Sequence, residues 1–270
     1  MLIDTHCHIN IMIKKDFDVP LKPDDFTGAA TIVKQAAHEH VNRIINVGTS
    51  VIESLNCIAL ARTFQDCYAA IGIHPNDLTK GWQKDMAALQ KLLVDKERNK
   101  IIAIGEIGFD KHYPDFSIQQ QKDAFKAQVE LALTHNLPII IHTRDAVQET
   151  VYALEEYKKE KNFRGVIHCF SEDQQFADYV IDIGFYVGIG GTLTYPKNEA
   201  LREIFKKIKL EHIVLETDAP FLPPQIIRGK RNHPQYIKAI AEFLAELRAT
   251  DFETIAQQTT TNAQKLFSIS

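Results

Sequence analysis

At 270 residues the chain can bury a sizeable core, and one barrel of alternating strands and helices uses about 250 residues, so a single domain over 1–270 is expected. Its 31 basic and 35 acidic residues leave a net charge of −4, which excludes a bulk electrostatic grip on nucleic acid but not a local basic patch. No apolar run approaches the roughly 18 residues that span a bilayer, no basic-then-apolar leader opens the chain, and the four cysteines form no C-x-x-C pair; a cytoplasmic protein with no membrane partner is expected.

The first predicted strand is "LIDTHCH", residues 2–8. Strand alternation places Asp4, His6 and His8 on one face and Cys7 on the other. Cys7 should then pack outward beneath a helix, where a small apolar side chain fits. A helix follows in "DDFTGAATIVKQAAHEH", with Phe26, Ala30, Val33 and Ala37 as its predicted apolar face. Strands are then read in "RIINVG", "YAAIGIH" and "IIAIGE". The stretch "YPDFS" reads as a loop after the fourth strand. "SIQQQKDAFKAQVELALTHN" is a helix, with Ile118, Phe125, Val129 and Leu133 on one face. Strands five to eight are "PIIIHT", "GVIHCF", "GFYVGIG" and "HIVLETD". A long loop, 218–234, precedes the helical "NHPQYIKAIAEFLAELRA", and a last helix starts with Asp251 as N-cap. Strands alternating with helices give a parallel α/β sheet, and eight such units favour a closed (β/α)8 TIM barrel over an open doubly wound sheet.

Polar residues gather at the strand ends. His6 and His8 end the first strand, His74 the third, Glu106 the fourth, His142 the fifth, His168 the sixth and Asp218 the eighth. In a barrel these ends form the rim that carries the active site. A lone strand histidine is more often a hydrogen-bonded core residue than a ligand. A ring of them beside carboxylates is a different matter, because Glu106 buried without a partner would be costly. Mixed nitrogen and oxygen donors suit zinc, manganese or iron, and with enough carboxylate and water magnesium. Four histidines and two carboxylates suffice for two divalent metal ions. Two ions about 3.5–4 Å apart can share a bridging hydroxide, and Glu106 is the natural bridging carboxylate. Glu216 shares a face with Asp218. The basic "RGKR", residues 228–231, reads first as a solvated loop, with contact to substrate the lesser alternative.

At these residues the sequence resembles the TatD family of metal-dependent deoxyribonucleases, among the amidohydrolase-like barrels. The matching stretches are "IDTHCHIN", "IGIHPND", "AIGEIGFD", "IIIHTRDA", "IHCFS", "GIGGTLTYPKN", "LETDAPFLPP", "RGKRNHP" and "TTNAQKLF", in family order from residue 3 to 267. The resemblance implies that His6, His8, Glu106 and Asp218 hold one ion and that Glu106, His142 and His168 hold the other. It implies that His74 and Arg144 face the scissile phosphate, that Asp218 also orients or deprotonates the attacking water, and that Glu216 sits nearby. The implied activity is phosphodiester hydrolysis of DNA, single-stranded or from a 3′ end. Relatives commonly carry a leucine and a tyrosine near Phe109 and Lys111, and often a glutamate in place of His233; these departures fall where substrate choice is shaped.

Two other readings use the same donors. One is a hydrolase of a small amide, lactone or ester, misacylated tRNA included; many such enzymes bridge their metals with a modified lysine on strand four, where this chain has Glu106. The other is a metal-dependent binding protein without catalysis, for which Arg144 beside a full ligand ring would have no purpose.

Overall fold

A computed structural model describes residues 1–269. Eight strands lie side by side in chain order: β1 (Leu2–Cys7), β2 (Val41–Val47), β3 (Cys67–Ile71), β4 (Ile101–Asp110), β5 (Ile139–Arg144), β6 (Gly165–Ile167), β7 (Tyr186–Ile189) and β8 (Ile213–Leu215). Every neighbouring pair from β1 to β8 is parallel. The connections carry α1 (Ile9–Met12), α2 (Asp25–His38), α3 (Val51–Thr63), α4 (Trp82–Leu92), α5 (Ile118–His135), α6 (Val147–Glu155), α7 (Gln174–Asp182) and α8 (Glu199–Lys207); α9 (Ile237–Leu247) and α10 (Phe252–Phe267) follow β8. The chain is a single-domain (β/α)8 barrel. No helix among the described residues is long and apolar enough to cross a membrane.

The seam between β8 and β1 cannot be read from sequence. The Asp218 amide donates to the His6 carbonyl at 2.8 Å, and the His8 amide donates to Ala219 at 2.8 Å. Below them the Thr5 hydroxyl donates to the Leu215 carbonyl at 2.9 Å. The Asp4 carboxylate accepts from the Thr217 amide at 2.9 Å and from its hydroxyl at 2.5 Å. This corrects the expected alternation. Pairing with β2 shifts register between Asp4 and Cys7, so Asp4 turns to the seam instead of joining His6 and His8. Cys7 is fully buried in the apolar layer between barrel and helices, as expected of a packing residue.

The larger apolar cluster lies between the strands and the surrounding helices. A smaller one fills the barrel, with Ile3, Ile45, Val47, Ala70, Ala103, Ile140, Val166 and Val214. Helix α10 closes this interior from below. Its Ala263, Leu266 and Phe267 join the inner cluster. Its Thr260 hydroxyl donates to the Met1 carbonyl at 2.9 Å, and the Asn262 amide donates to Leu210 at 2.8 Å and Ile213 at 2.7 Å. The helix thus satisfies carbonyls just before β1 and at the entry to β8. Asp251 caps it, accepting from the Thr254 amide at 2.6 Å, as the sequence predicts.

Two expectations shift. On α2 the buried face is Ala29 and Ala36, with Phe26, Ile32 and Val33 half-buried, while Ala30 and Ala37 are exposed. Four alanines on one helix give the periodicity little contrast, so it misplaced the face by one position. β4 runs past Glu106 to Asp110, which brings a further carboxylate to the rim.

Candidate metal centre

The structure brings His6, His8, Glu106, His142, His168 and Asp218 into one cluster at the C-terminal mouth of the barrel. Glu106 stands in its middle. Its Oε2 faces His6 Nε2 at 3.4 Å and His8 Nε2 at 3.9 Å. Its Oε1 faces His142 Nδ1 and His168 Nε2, each at 2.9 Å. Asp218 Oδ1 completes the first group, 3.3 Å from His8 Nε2 and 3.8 Å from His6 Nε2. The seam hydrogen bond from the Asp218 amide to His6 is what sets β8 against β1 here.

The β4–β5 approach that seats His142 requires glycine at 108. Its φ is +145°, and a Cβ there would lie 2.0 Å from the His142 carbonyl oxygen. Gly188 likewise leaves room for Glu216, whose Oε2 would be 2.4 Å from an added Cβ. Non-glycine residues with left-handed backbone gather on the same rim: Asp145 (φ +55°), Cys169 (φ +47°) and Asp218 (φ +54°) follow the ends of β5, β6 and β8. Such conformations cost energy and persist where neighbours hold them. The Asp218 amide is held by His6, and the Cys169 amide donates to Glu216.

The hydrogen-bond partners fix which ring nitrogens face the centre. His8 Nδ1 donates to the Val47 carbonyl at 2.8 Å, leaving the Nε2 lone pair inward. That lone pair meets His6 Nε2 at 3.1 Å. His142 Nε2 donates to Asp110 Oδ2 at 3.0 Å, so Nδ1 points to Glu106. His168 Nδ1 lies 3.5 Å from Glu216 Oε1, which leaves Nε2 for Glu106. Ring nitrogens therefore converge on carboxylate oxygens and on one another, where any unprotonated pair meets acceptor to acceptor. Acceptors packed this way repel unless a proton or a cation stands between them. The spacings run from 2.9 to 3.9 Å, around the roughly 3–3.5 Å between neighbouring ligands on an ion bonded at about 2.1 Å. Both donor groups fit a divalent cation.

Electrostatics follow this arrangement. Burial alone would raise Glu106, but the His168 charge and hydrogen bonds from His142, His168 and His6 hold it well below the usual carboxylate range. Burial likewise opposes the charged His168, yet Glu106 and Glu216 raise its pKa well above the ordinary value. His6 is lowered by burial and by His168, as suits a neutral ligand. Burial and the neighbouring His142 bring His74 down to about 3.

His74 lies three residues beyond β3 rather than ending it. Its Nδ1 accepts from the Asn76 amide at 3.2 Å, so Nε2 carries the proton and points inward, 3.7 Å from Glu106 Oε1. Arg144 ends β5 and is exposed at the mouth of a cavity of about 560 Å³, which His8, His74, Glu106, His142, His168 and Asp218 also line. The loop 228–231 does not line it. Arg228 lies over the Tyr195 ring at 4.0 Å, and Arg231 donates to the carbonyls of Met12 at 2.9 Å and Ile11 at 3.2 Å. The basic run is exposed, as expected of a solvated loop, and its arginines tie loops together rather than line the cavity.

Asp110 was not foreseen. Besides His142 it accepts from the Asn76 side chain at 2.9 Å and the His112 amide at 2.8 Å. Burial opposes its charge, but these bonds prevail and hold its pKa at about 2. The signal was available: in "EIGFD", Glu106, Gly108 and Asp110 are spaced two apart, as on one strand face.

The family model described as TatD related DNase matches residues 3–268. The chain is 37% identical over 269 residues to the uncharacterized metal-dependent hydrolase YabD of Bacillus subtilis, covering 100% of both chains. It is 34% identical over 244 residues to the 3'-5' ssDNA/RNA exonuclease TatD of Pantoea ananatis, covering 88% of this chain and 92% of that one. The crystal structure of the TatD homolog YjjV from Escherichia coli superposes with a TM-score of 0.88 at 31% identity, covering 100% of this chain and 98% of that one. A phosphotriesterase homology protein from Escherichia coli, 15% identical with a TM-score of 0.68, shares the fold. With matched residues running from Ile3 almost to the end of the chain, the protein belongs to the TatD family of metal-dependent hydrolases.

Proposed function

We propose that the protein is a phosphodiesterase that removes nucleotides from the 3′ end of single-stranded DNA, using two divalent cations. The observation that carries this reading is the division of labour on Glu106: one carboxylate oxygen faces His6 and His8, the other His142 and His168. Cations held by His6, His8, Glu106, His142, His168 and Asp218 would supply charge against the phosphate and lower the pKa of a bound water. The protein's own residues supply the rest. His74 presents an Nε2–H to a non-bridging phosphate oxygen. Being neutral, it donates without giving up its proton. Arg144 offers forked donors to the same group from the rim. Asp218, held low by its histidine neighbours against the effect of burial, takes the proton of the water that attacks phosphorus; the P–O3′ bond breaks, and the 3′ oxygen of the shortened strand leaves and gains a proton. Glu216 supports His168 from behind.

Asp110 is a positioning residue in this scheme. Its bond to His142 fixes the tautomer that turns Nδ1 inward. Asp110→Asn should weaken metal binding by about tenfold, since supporting carboxylates of this kind set ligand orientation. Competition with a chromogenic chelator measures it; wild-type affinity in the variant would remove Asp110 from the scheme.

The decisive assay strips metal with a chelator and restores magnesium, manganese or zinc separately. Each form is offered single-stranded DNA labelled at its 5′ end, RNA, and a panel of lactones. Activity should vanish on chelation and return with metal, and the DNA should shorten from its 3′ end. Turnover of lactones with intact DNA would overturn the proposal.

A further inference from the structure

Five aromatic side chains stand open to solvent among the described residues: Phe17 (61% exposed), Tyr152 (60%), Tyr113 (53%), Phe221 (44%) and Phe116 (38%). Exposed aromatic surface is disfavoured in water, and gathered in one place it marks a binding site. Three of the five, Phe17, Tyr113 and Phe221, line the mouth of the metal-centre cavity. Phe116 lines a smaller pocket that shares Tyr113 and Asn76 with it.

Phe17 and Phe221 are carried on backbone held from behind. Phe17 sits on a loop pinned on both sides to α3. Lys14 pairs with the buried Glu53, and the Asp18 amide donates to Glu53 at 2.8 Å. The Leu21 amide donates to Asn56 at 3.0 Å, and Asn56 donates to the Val19 carbonyl at 2.9 Å. Phe221 is held through its backbone: its amide donates to Asp218 at 2.8 Å, and its carbonyl accepts from the buried Asn232 at 2.7 Å. Rings presented on an ordered frame lose little freedom when something stacks on them.

Two of the rings also touch the site's chemistry. Tyr113 lies under the Arg144 guanidinium, 5.9 Å from its centroid. The Phe221 ring meets His8 edge to face, with centroids 6.0 Å apart. A flat aromatic group resting on either ring therefore sits one ring's width from a phosphate donor or a metal-ligand candidate. A lipid chain would prefer a continuous apolar trough, and a protein partner would bring side chains that a deep acidic and imidazole-lined cavity does not match. Flat π faces joined by phosphates satisfy both the rings and Arg144.

We infer that Phe17, Tyr113 and Phe221 form a stacking collar for unpaired nucleobases on either side of the phosphodiester. This rests on the phosphodiesterase reading and adds the groups that select strand state. Stacking on protein rings is indifferent to base identity because every base has a π face. In a duplex those faces are already occupied by neighbouring pairs, so the collar favours unpaired ends and tolerates any sequence.

The test uses metal-loaded enzyme and a fluorescent single strand whose 3′ linkages are phosphorothioates resistant to cleavage. Tyr113→Leu and Phe17→Leu should each raise Kd by about tenfold, as expected for loss of one stacked base. Tyr113→Phe and Phe17→Tyr, which keep the π face, should bind like wild type. A second strand lacking its last two bases supplies the complementary change. Wild type should bind it about a hundredfold more weakly, tenfold for each lost base, and each leucine variant should bind it no more weakly than wild type does, because ring and base are removed from the same contact. Leucine variants that bind the complete strand like wild type, or losses that multiply on the base-free strand, would overturn the collar while leaving the nuclease reading intact. A wild-type enzyme that neither binds nor cuts single strands would overturn both.

Discussion

Glu106→Gln is expected to lower kcat on a single-stranded oligonucleotide by about 10⁴-fold, some ~5.5 kcal/mol of transition-state stabilisation at 1.36 kcal/mol per tenfold. The amide keeps the side chain's shape but not its charge, and only one of its two heads can accept. The two donor groups would then lack the shared oxygen pair that faces both, so metal content should fall with activity. Glu106 lies in a polar cluster at the rim rather than in the apolar interior, so the variant should still fold. Elemental analysis of the purified variant, a far-UV circular dichroism melt and single-turnover cleavage together decide the matter. A folded variant that keeps two ions per chain and wild-type turnover would sink the bridging role.

Arg144→Ala is expected to reduce kcat/KM on the same substrate by about 10²-fold, or ~2.7 kcal/mol. The side chain is exposed and ends β5, so its removal leaves no cavity and no orphaned buried group. The loss should fall on phosphodiesters alone, because a neutral lactone offers the guanidinium no anionic oxygens to fork onto. Arg144→Lys should recover only part of the rate, since an ammonium is a point charge without the fork. Metal content should not change. Steady-state kinetics of both variants beside the parent give the answer, and an alanine variant as fast as the parent would shift the reading toward a small uncharged substrate.

Much of this molecule was written in the local pattern of the chain. Histidines at the ends of β-branched runs gave the rim its chemistry, because burial forces polar residues at those positions to find partners or ions. What local pattern could not show was any contact between distant segments. The β1 irregularity that sends Asp4 to Thr217 depends on residues 213 positions apart in sequence. The seam that brings Asp218 to His6 exists only once the barrel closes. Asp110 was overlooked for a different reason: the strand was taken to stop at Glu106, and a residue assigned to a loop loses its facing direction. Residues 228–231 are exposed, as a solvated loop should be, but charge in sequence says nothing of what backbone carbonyls stand nearby, and Arg231 found two of them.

The floor made by α10 has a topological outcome for any polymer that this protein works on. With Leu266 and Phe267 sealed against the inner residues of the strands, the barrel is a cup, not a tube. A strand cannot be threaded through it, and whatever enters must turn back or end there. A chain terminus satisfies that geometry without bending; an internal linkage must be folded into a hairpin at the mouth.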